Sequence, residues 1–144
     1  MKRAFLFDMD GVIVDSERVW HRESISFAEN LFGKEILAAL GDMTGVTMEK
    51  QYVFAQSKGF TMPRDAFYEK YDREAERIYA LTTVTEGLYD LIDHLKAMGF
   101  VVGIVSSSRE KWITIVLKKL QRENLFDYIL SLCYLLLLLF CNLY

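Results

Sequence analysis

Short apolar runs alternate with longer amphipathic stretches along this chain, and that alternation predicts its elements. Residues 4–7 form a continuous apolar run that stops at Asp8, which reads as a buried parallel strand opening onto a loop over residues 8–16. From Glu17 the pattern turns helical, with Trp20, Ser24, Phe27 and Leu31 on one face, Asp15 or Ser16 available as N-cap and Gly33 as the stop. Residues 47–57 read as a further helix closed by Gly59, and Pro63 suits the first turn of another whose buried stripe is Phe67, Tyr71, Ala75 and Ile78. Residues 16–82 are thereby helical in character. Leu88, Leu91, Ile92, Leu95 and Met98 then recur at helical spacing, Gly99 follows, and residues 100–105 make a second strand that runs into Ser106-Ser107-Ser108. A helix over about residues 109–122 and a third strand at 128–130 complete an order that calls for right-handed parallel crossovers. The chain shows no internal repeat.

The last segment breaks the pattern. Leu132-Cys133-Tyr134 leads into five leucines and Phe140-Cys141-Asn142-Leu143-Tyr144, with no charge and neither helical nor strand period. The run is short of the roughly 18 apolar residues that a membrane helix needs. Three readings stay open: an apolar strand or helix buried on the core, a weak membrane tail, or residues replacing the natural continuation of a longer, frameshifted or truncated chain.

Composition narrows the class. A chain of 144 residues suits one domain, or a core with a modest insertion. With 52% apolar and 26% charged residues and a single proline, a disordered tail, a collagen-like fibre and a proline-rich linker are excluded. The net charge of −3, from 20 acidic against 17 basic side chains, gives no footprint for nucleic acid and argues against an anionic membrane, so small-molecule partners are expected. Two cysteines, Cys133 and Cys141, without nearby histidines suggest neither a disulfide framework nor a zinc site and point to a reducing compartment. Met1-Lys2-Arg3 carries signal-peptide charge, but the apolar run behind it falls short of a signal core of about 7 to 15 residues, so the expected location is cytoplasmic.

The candidate chemistry sits at Asp8-Met9-Asp10-Gly11, at the C-terminal end of the first strand, where open parallel sheets bind ligands. Two carboxylates one residue apart can share a pocket with different jobs, one as nucleophile or metal ligand and the other exchanging protons. Such a pair repels itself without a cation, and Mg2+, which takes oxygen ligands and retains water, is the natural counter-charge beside a phosphate substrate. A competing pattern places Asp8, Asp10, Gly11 and Glu17 at positions of a calcium-binding EF-hand loop, but Leu6 then stands where an oxygen ligand is required.

The string FLFDMDGVIVDSE resembles the first motif of the haloacid dehalogenase superfamily of phosphohydrolases, VGIVSSSRE resembles its second, and LFDYILS resembles the stretch before its third. The intervening helices resemble the cap of the subgroup containing β-phosphoglucomutase and phosphoglycolate phosphatase. The resemblance covers residues 1–131 and implies a doubly wound, Rossmann-like α/β core over residues 1–15 and 83–144, interrupted by a helical cap over 16–82. It implies Asp8 as the nucleophile that becomes an aspartyl-phosphate, Asp10 as general acid and base, and Mg2+ bound by the Asp8 carboxylate and the Asp10 main-chain carbonyl. Ser106 would hold a phosphate oxygen, while Ser107 and Ser108 divide between phosphate-loop donors and helix-capping residues. The expected activity is magnesium-dependent phosphoryl transfer from a small phosphorylated metabolite, with hydrolysis ahead of a sugar-phosphate mutase and a catalytically silent chain as the further alternative.

The chain also departs from the family pattern. The lysine of the third motif and the acids of the fourth do not appear after Ser131, and Lys118 and Lys119 read as solvated helix residues. Met43-Thr44-Gly45-Val46-Thr47 resembles the cap loop that reaches substrate, yet Met48 stands where the mutase carries an arginine, which favours a phosphatase, although Lys50 lies close enough to substitute. Trp20 reads as a packing residue and His21 as an exposed one.

Overall fold

The computed structural model describes residues 3–42, 45–122 and 124–133. The expectations placed on Met1 and Lys2, on Met43 and Thr44, and on the run from Tyr134 through Cys141 to the end lie outside the described residues. In chain order the elements are β1 (Arg3–Phe7), α1 (Ser16–Phe32), α2 (Lys34–Leu40), α3 (Met48–Ser57), α4 (Arg64–Leu81), α5 (Leu88–Ala97), β2 (Phe100–Ser106), α6 (Glu110–Leu120) and β3 (Tyr128–Ser131). The strands form one parallel sheet in the order β1-β2-β3, with Phe7 opposite Ile104 and Ser106 opposite Ser131. A mixed α/β fold on a parallel sheet is what the alternation of runs implied. Because residues 3–7 are strand rather than helix, the EF-hand alternative loses its entering helix and is overturned.

Alternate residues of a strand face opposite sides, and the two sides of this sheet have different fates. Phe7, Val102 and Ile104 share a face and join a core with Leu88, Ile92 and Leu95 of α5 and Trp112, Ile113, Val116 and Leu120 of α6. On the other face, Leu6, Tyr128 and Leu130 are 59%, 69% and 53% exposed. The expectation that residues 4–7 are buried therefore fails for all but Phe7: among the described residues β1 is an edge strand, and the described helices cover only one side. Gly103 lies between Leu6 and Tyr128, where an added Cβ would come within 3.1 Å of Leu6 and 3.2 Å of the Tyr128 carbonyl oxygen.

Asp127 fixes the start of β3. Its backbone N–H donates to the Val102 carbonyl at 2.7 Å, and its carboxylate accepts from the Val102 N–H at 2.8 Å. That backbone donor, foremost, holds the Asp127 carboxyl below the usual range.

Residues 16–81 pack around aromatic rings. Phe67, fully buried on α4, stands 5.0 Å from Tyr52, 4.9 Å from Tyr71 and 5.9 Å from Phe32, ring centre to ring centre. The α4 stripe is as the spacing predicts, with Tyr79 added to it. The α1 face is rotated: Val19, Ala28, Leu31 and Phe32 are buried, while Trp20 and Phe27 pack at its margin. On α5, Leu91 and Met98 fall outside the buried stripe. Helix α2 had no counterpart in the expected elements, because its single short amphipathic turn, Ile36, Leu37 and Leu40, is only partly buried.

Helix α4 also lies along α6 and is fastened to it near both ends of α6. Near the start of α6, Asp72 accepts from Arg109 Nη1 at 2.5 Å and Trp112 Nε1 at 2.8 Å and pairs with Lys111. At the other end Lys119 Nζ donates to the Tyr79 and Ala80 carbonyls at 3.0 Å each, satisfying the last turn of α4 as a cation at a helix C-terminus does. Lys119 is thus no solvated bystander, whereas Lys118 is exposed. Among the described residues no helix is long and apolar enough to cross a membrane.

Candidate active site

The site grows from the C-terminal ends of β1 and β2. Phe7 and Ile104 are paired, so Asp8 and Ser106 leave adjacent strands at the same edge. Beyond β1, Met9 is fully buried and anchors a tight turn: its carbonyl accepts from Ile13 N at 3.0 Å and Val14 N at 3.2 Å. Gly11 has φ +74°, the left-handed region that favours glycine, and lies against the Glu17 side chain. With Met9 plugged inward, Asp8 is left exposed and Asp10 half-buried.

Asp8 Oδ1 accepts from the Met9 N–H at 2.7 Å, and the rest of its carboxylate is open to solvent. Asp10 is enclosed by hydroxyls. Its Oδ1 accepts from Ser16 Oγ at 2.6 Å and Tyr79 Oη at 2.9 Å, and its Oδ2 accepts from Ser108 Oγ at 2.7 Å. Burial, above all, pushes the Tyr79 phenol up, and the Asp10 charge adds to it, so the phenol remains a protonated donor at neutral pH.

The loop after β2 is braced by β3. Leu132 N donates to the Ser106 carbonyl at 2.7 Å and Ser131 Oγ to the Ser108 carbonyl at 2.7 Å. Ser106 is 2% exposed, and its Oγ accepts from the Ser108 N–H at 3.1 Å, leaving its own proton to donate. Ser107 is exposed. Ser108 is not the helix cap, because Arg109 holds that position and the Ser108 hydroxyl is spent on Asp10. The structure thus joins Asp10, Ser108 and Ser106 in one hydrogen-bonded chain, with Asp8 on the neighbouring strand end. His21 is exposed, and Met48 packs against the core.

Two oxygens suit a hard cation: the open Asp8 carboxylate and the Asp10 main-chain carbonyl, on which no backbone hydrogen bond ends among the described residues. Among those residues no three His, Cys, Asp or Glu side chains cluster to hold a metal. The donor set therefore fits an ion that keeps most of its water, as Mg2+ does, and does not fit an all-protein cage.

Ser16 and Tyr79 were missed as site residues. Ser16 reads in sequence as a cap, yet Asp15 occupies that position and Ser16, fully buried, turns to Asp10. Tyr79 lies 69 residues from Asp10 and reads as a flank of the α4 stripe. No sequence pattern marks that contact; it follows from the return of the chain, in which Asp15 N donates to the Thr83 carbonyl and Thr85 N to the Ile13 carbonyl, both at 3.0 Å, bringing the end of α4 beside the first loop.

Known proteins share this fold. The family model described as haloacid dehalogenase-like hydrolase matches residues 5–134. Among solved structures, the fold is similar to that of a protein from Bacteroides fragilis assigned as a haloacid dehalogenase-like hydrolase, with TM-score 0.65 and 23% identity over 91% of this chain and 63% of that one. It is similar to a protein from Thermotoga maritima assigned as a β-phosphoglucomutase, with TM-score 0.63 and 20% identity over 91% and 61% of the two chains. A third, from Haemophilus somnus and assigned as a phosphoglycolate phosphatase, gives TM-score 0.58 and 18% identity over 90% and 62%. The chain spans a little over three fifths of the length of these proteins. No curated protein matches the sequence.

Proposed function

This chain belongs to the haloacid dehalogenase-like hydrolases, and from that membership we propose that it transfers the phosphoryl group of a small phosphorylated metabolite to water through Asp8. In the first step an Asp8 oxygen attacks phosphorus, the bond from phosphorus to the leaving oxygen breaks, and Asp10 gives that oxygen a proton. In the second, water attacks phosphorus, Asp10 takes a proton from it, and the bond to Asp8 breaks, restoring both carboxyl groups. The Ser106 hydroxyl proton and the exposed Ser107 are the donors for phosphate oxygens. Residues 16–82 act as the cap, and residues 1–15 and 83–144 as the core that carries these groups.

Mg2+, held by the Asp8 carboxylate and the Asp10 carbonyl, would offset the charge gathered between nucleophile and phosphate. One observation carries the reading: an open carboxylate and a hydroxyl-bound carboxylate stand two residues apart at the strand edge beside a serine loop. Hydrolysis is preferred to mutase chemistry because Met48 is a packing residue that cannot pair a second phosphate. A chain that binds phosphate without turnover is the second reading, favoured by the lack of a third acid among the described residues. A reducing, cytoplasmic setting accords with both.

The test is magnesium-dependent release of phosphate from sugar phosphates by the full chain and by Asp8→Asn. Loss of at least about 100-fold on removal of the nucleophile is expected. Equal turnover by the two proteins would sink the assignment, and phosphate binding without turnover in the unsubstituted chain would select the second reading.

A further inference from the structure

Tyr79 is the one member of the Asp10 shell contributed by the far end of the helical segment, and its anchoring differs from that of its partners. It is 1% exposed, its ring centre lies 6.4 Å from that of Trp112, and its carbonyl accepts from Lys119 Nζ at 3.0 Å. Packing fixes the ring and Lys119 fixes the backbone. The hydroxyls of Ser16 and Ser108 are short rotors by comparison.

A carboxylate oxygen has two lone pairs available to donors. Both on Asp10 Oδ1 are engaged, by Ser16 at 2.6 Å and Tyr79 at 2.9 Å, whereas among the described residues Oδ2 accepts from Ser108 alone, at 2.7 Å. We infer that Tyr79 is a positioning residue that saturates Oδ1 of Asp10 and so makes Oδ2, the oxygen beside the serine loop, the one that gives and takes the proton. The inference rests on the proposed role of Asp10 as acid and base, and it adds a residue and an oxygen to that role. Without the phenol, Oδ1 regains a lone pair and the carboxylate can turn, so proton transfer loses its fixed origin while the phosphate loop stays in place.

The experiment compares the full chain with Tyr79→Phe on two probes, glycerol phosphate, whose alkoxide must be protonated to leave, and p-nitrophenyl phosphate, whose phenolate leaves unaided. For the substituted protein, kcat on glycerol phosphate should fall about 10-fold with KM unchanged, while the burst of nitrophenolate that reports attack by Asp8 stays within about 2-fold. Equal losses on both probes, or no loss on either, overturn the inference. Ser16→Ala removes the other Oδ1 donor without touching the aromatic packing; it should reproduce the same split between probes, and it carries the decision if Tyr79→Phe fails to melt cooperatively. Nitrophenolate release that persists in Asp8→Asn overturns the proposed function itself, and a complete lack of turnover by the unsubstituted chain overturns both.

Discussion

Phe67 of α4 and Leu6 of β1 are both large apolar residues in regular elements, yet one is fully buried and the other 59% exposed. A helix needs only a stripe of its circumference covered, and α4 packs against α1 and α3 so that Phe32, Tyr52 and Phe60 stand around Phe67. A parallel sheet has two faces to cover, and the described helices supply a layer for one. The helical segment therefore wraps its rings in a core continuous with that of the sheet, while the strands that carry the candidate site are covered from one side among the described residues.

The contrast is broken most directly at its centre. Phe67→Ala should cost about 3–5 kcal/mol in denaturant unfolding, since the aromatic cluster loses its shared ring. A cost below about 1 kcal/mol would mean that the helical segment does not depend on this core. At the margin, Thr47→Ala should cost about 1 kcal/mol, because the Thr47 hydroxyl accepts from the Lys50 N–H at the start of α3; Thr47→Ser should restore most of it.

Acid probes the same segment more gently. The Arg64 guanidinium beside Glu49 holds that carboxyl below its usual 4.5, while burial, foremost, and the Glu49 contact push the Tyr68 phenol up to about 12. A depressed folded value means that the contribution of Glu49 is complete above about 4.5 and is lost as pH falls through the lower folded value. Arg64→Ala should flatten this slope, with the Tyr68 hydrogen bond holding a residue of it, and cost about 0.2–1 kcal/mol at neutral pH, measured as melting temperature against pH. Smallest of all is Leu6→Thr, where the open face predicts a change within about 0.5 kcal/mol in the same unfolding measurement. A cost above about 2 kcal/mol would show that this face is covered in solution.

Much of this was legible from spacing. Asp8, Asp10 and Ser106 follow apolar runs that end abruptly, and a run that ends in acid, glycine or serine marks both a strand and the edge at which these residues meet. The α4 stripe was equally plain, because Phe67, Tyr71, Ala75 and Ile78 obey one period. Burial of residues 4–6 was not legible: a short apolar run looks the same whether one face is covered or two. Tyr79 and Asp72 escaped for another reason. Their partners lie 69 residues away at Asp10 and 37 to 40 residues away at Arg109 and Trp112, and no local pattern records which distant backbone a side chain will meet.

The double hydrogen bond between Asp127 and Val102 bears on strand register. A strand of four residues has little sequence of its own with which to choose a register, and a slip by one position would exchange Ile129 with its neighbours between the two faces. By engaging both the donor and the acceptor of Val102 before β3 begins, Asp127 acts as a starting stop for pairing, so Ser131 arrives opposite Ser106 and reaches the Ser108 carbonyl. An aspartate remote from the candidate site thereby sets the register on which the propping of the serine loop depends.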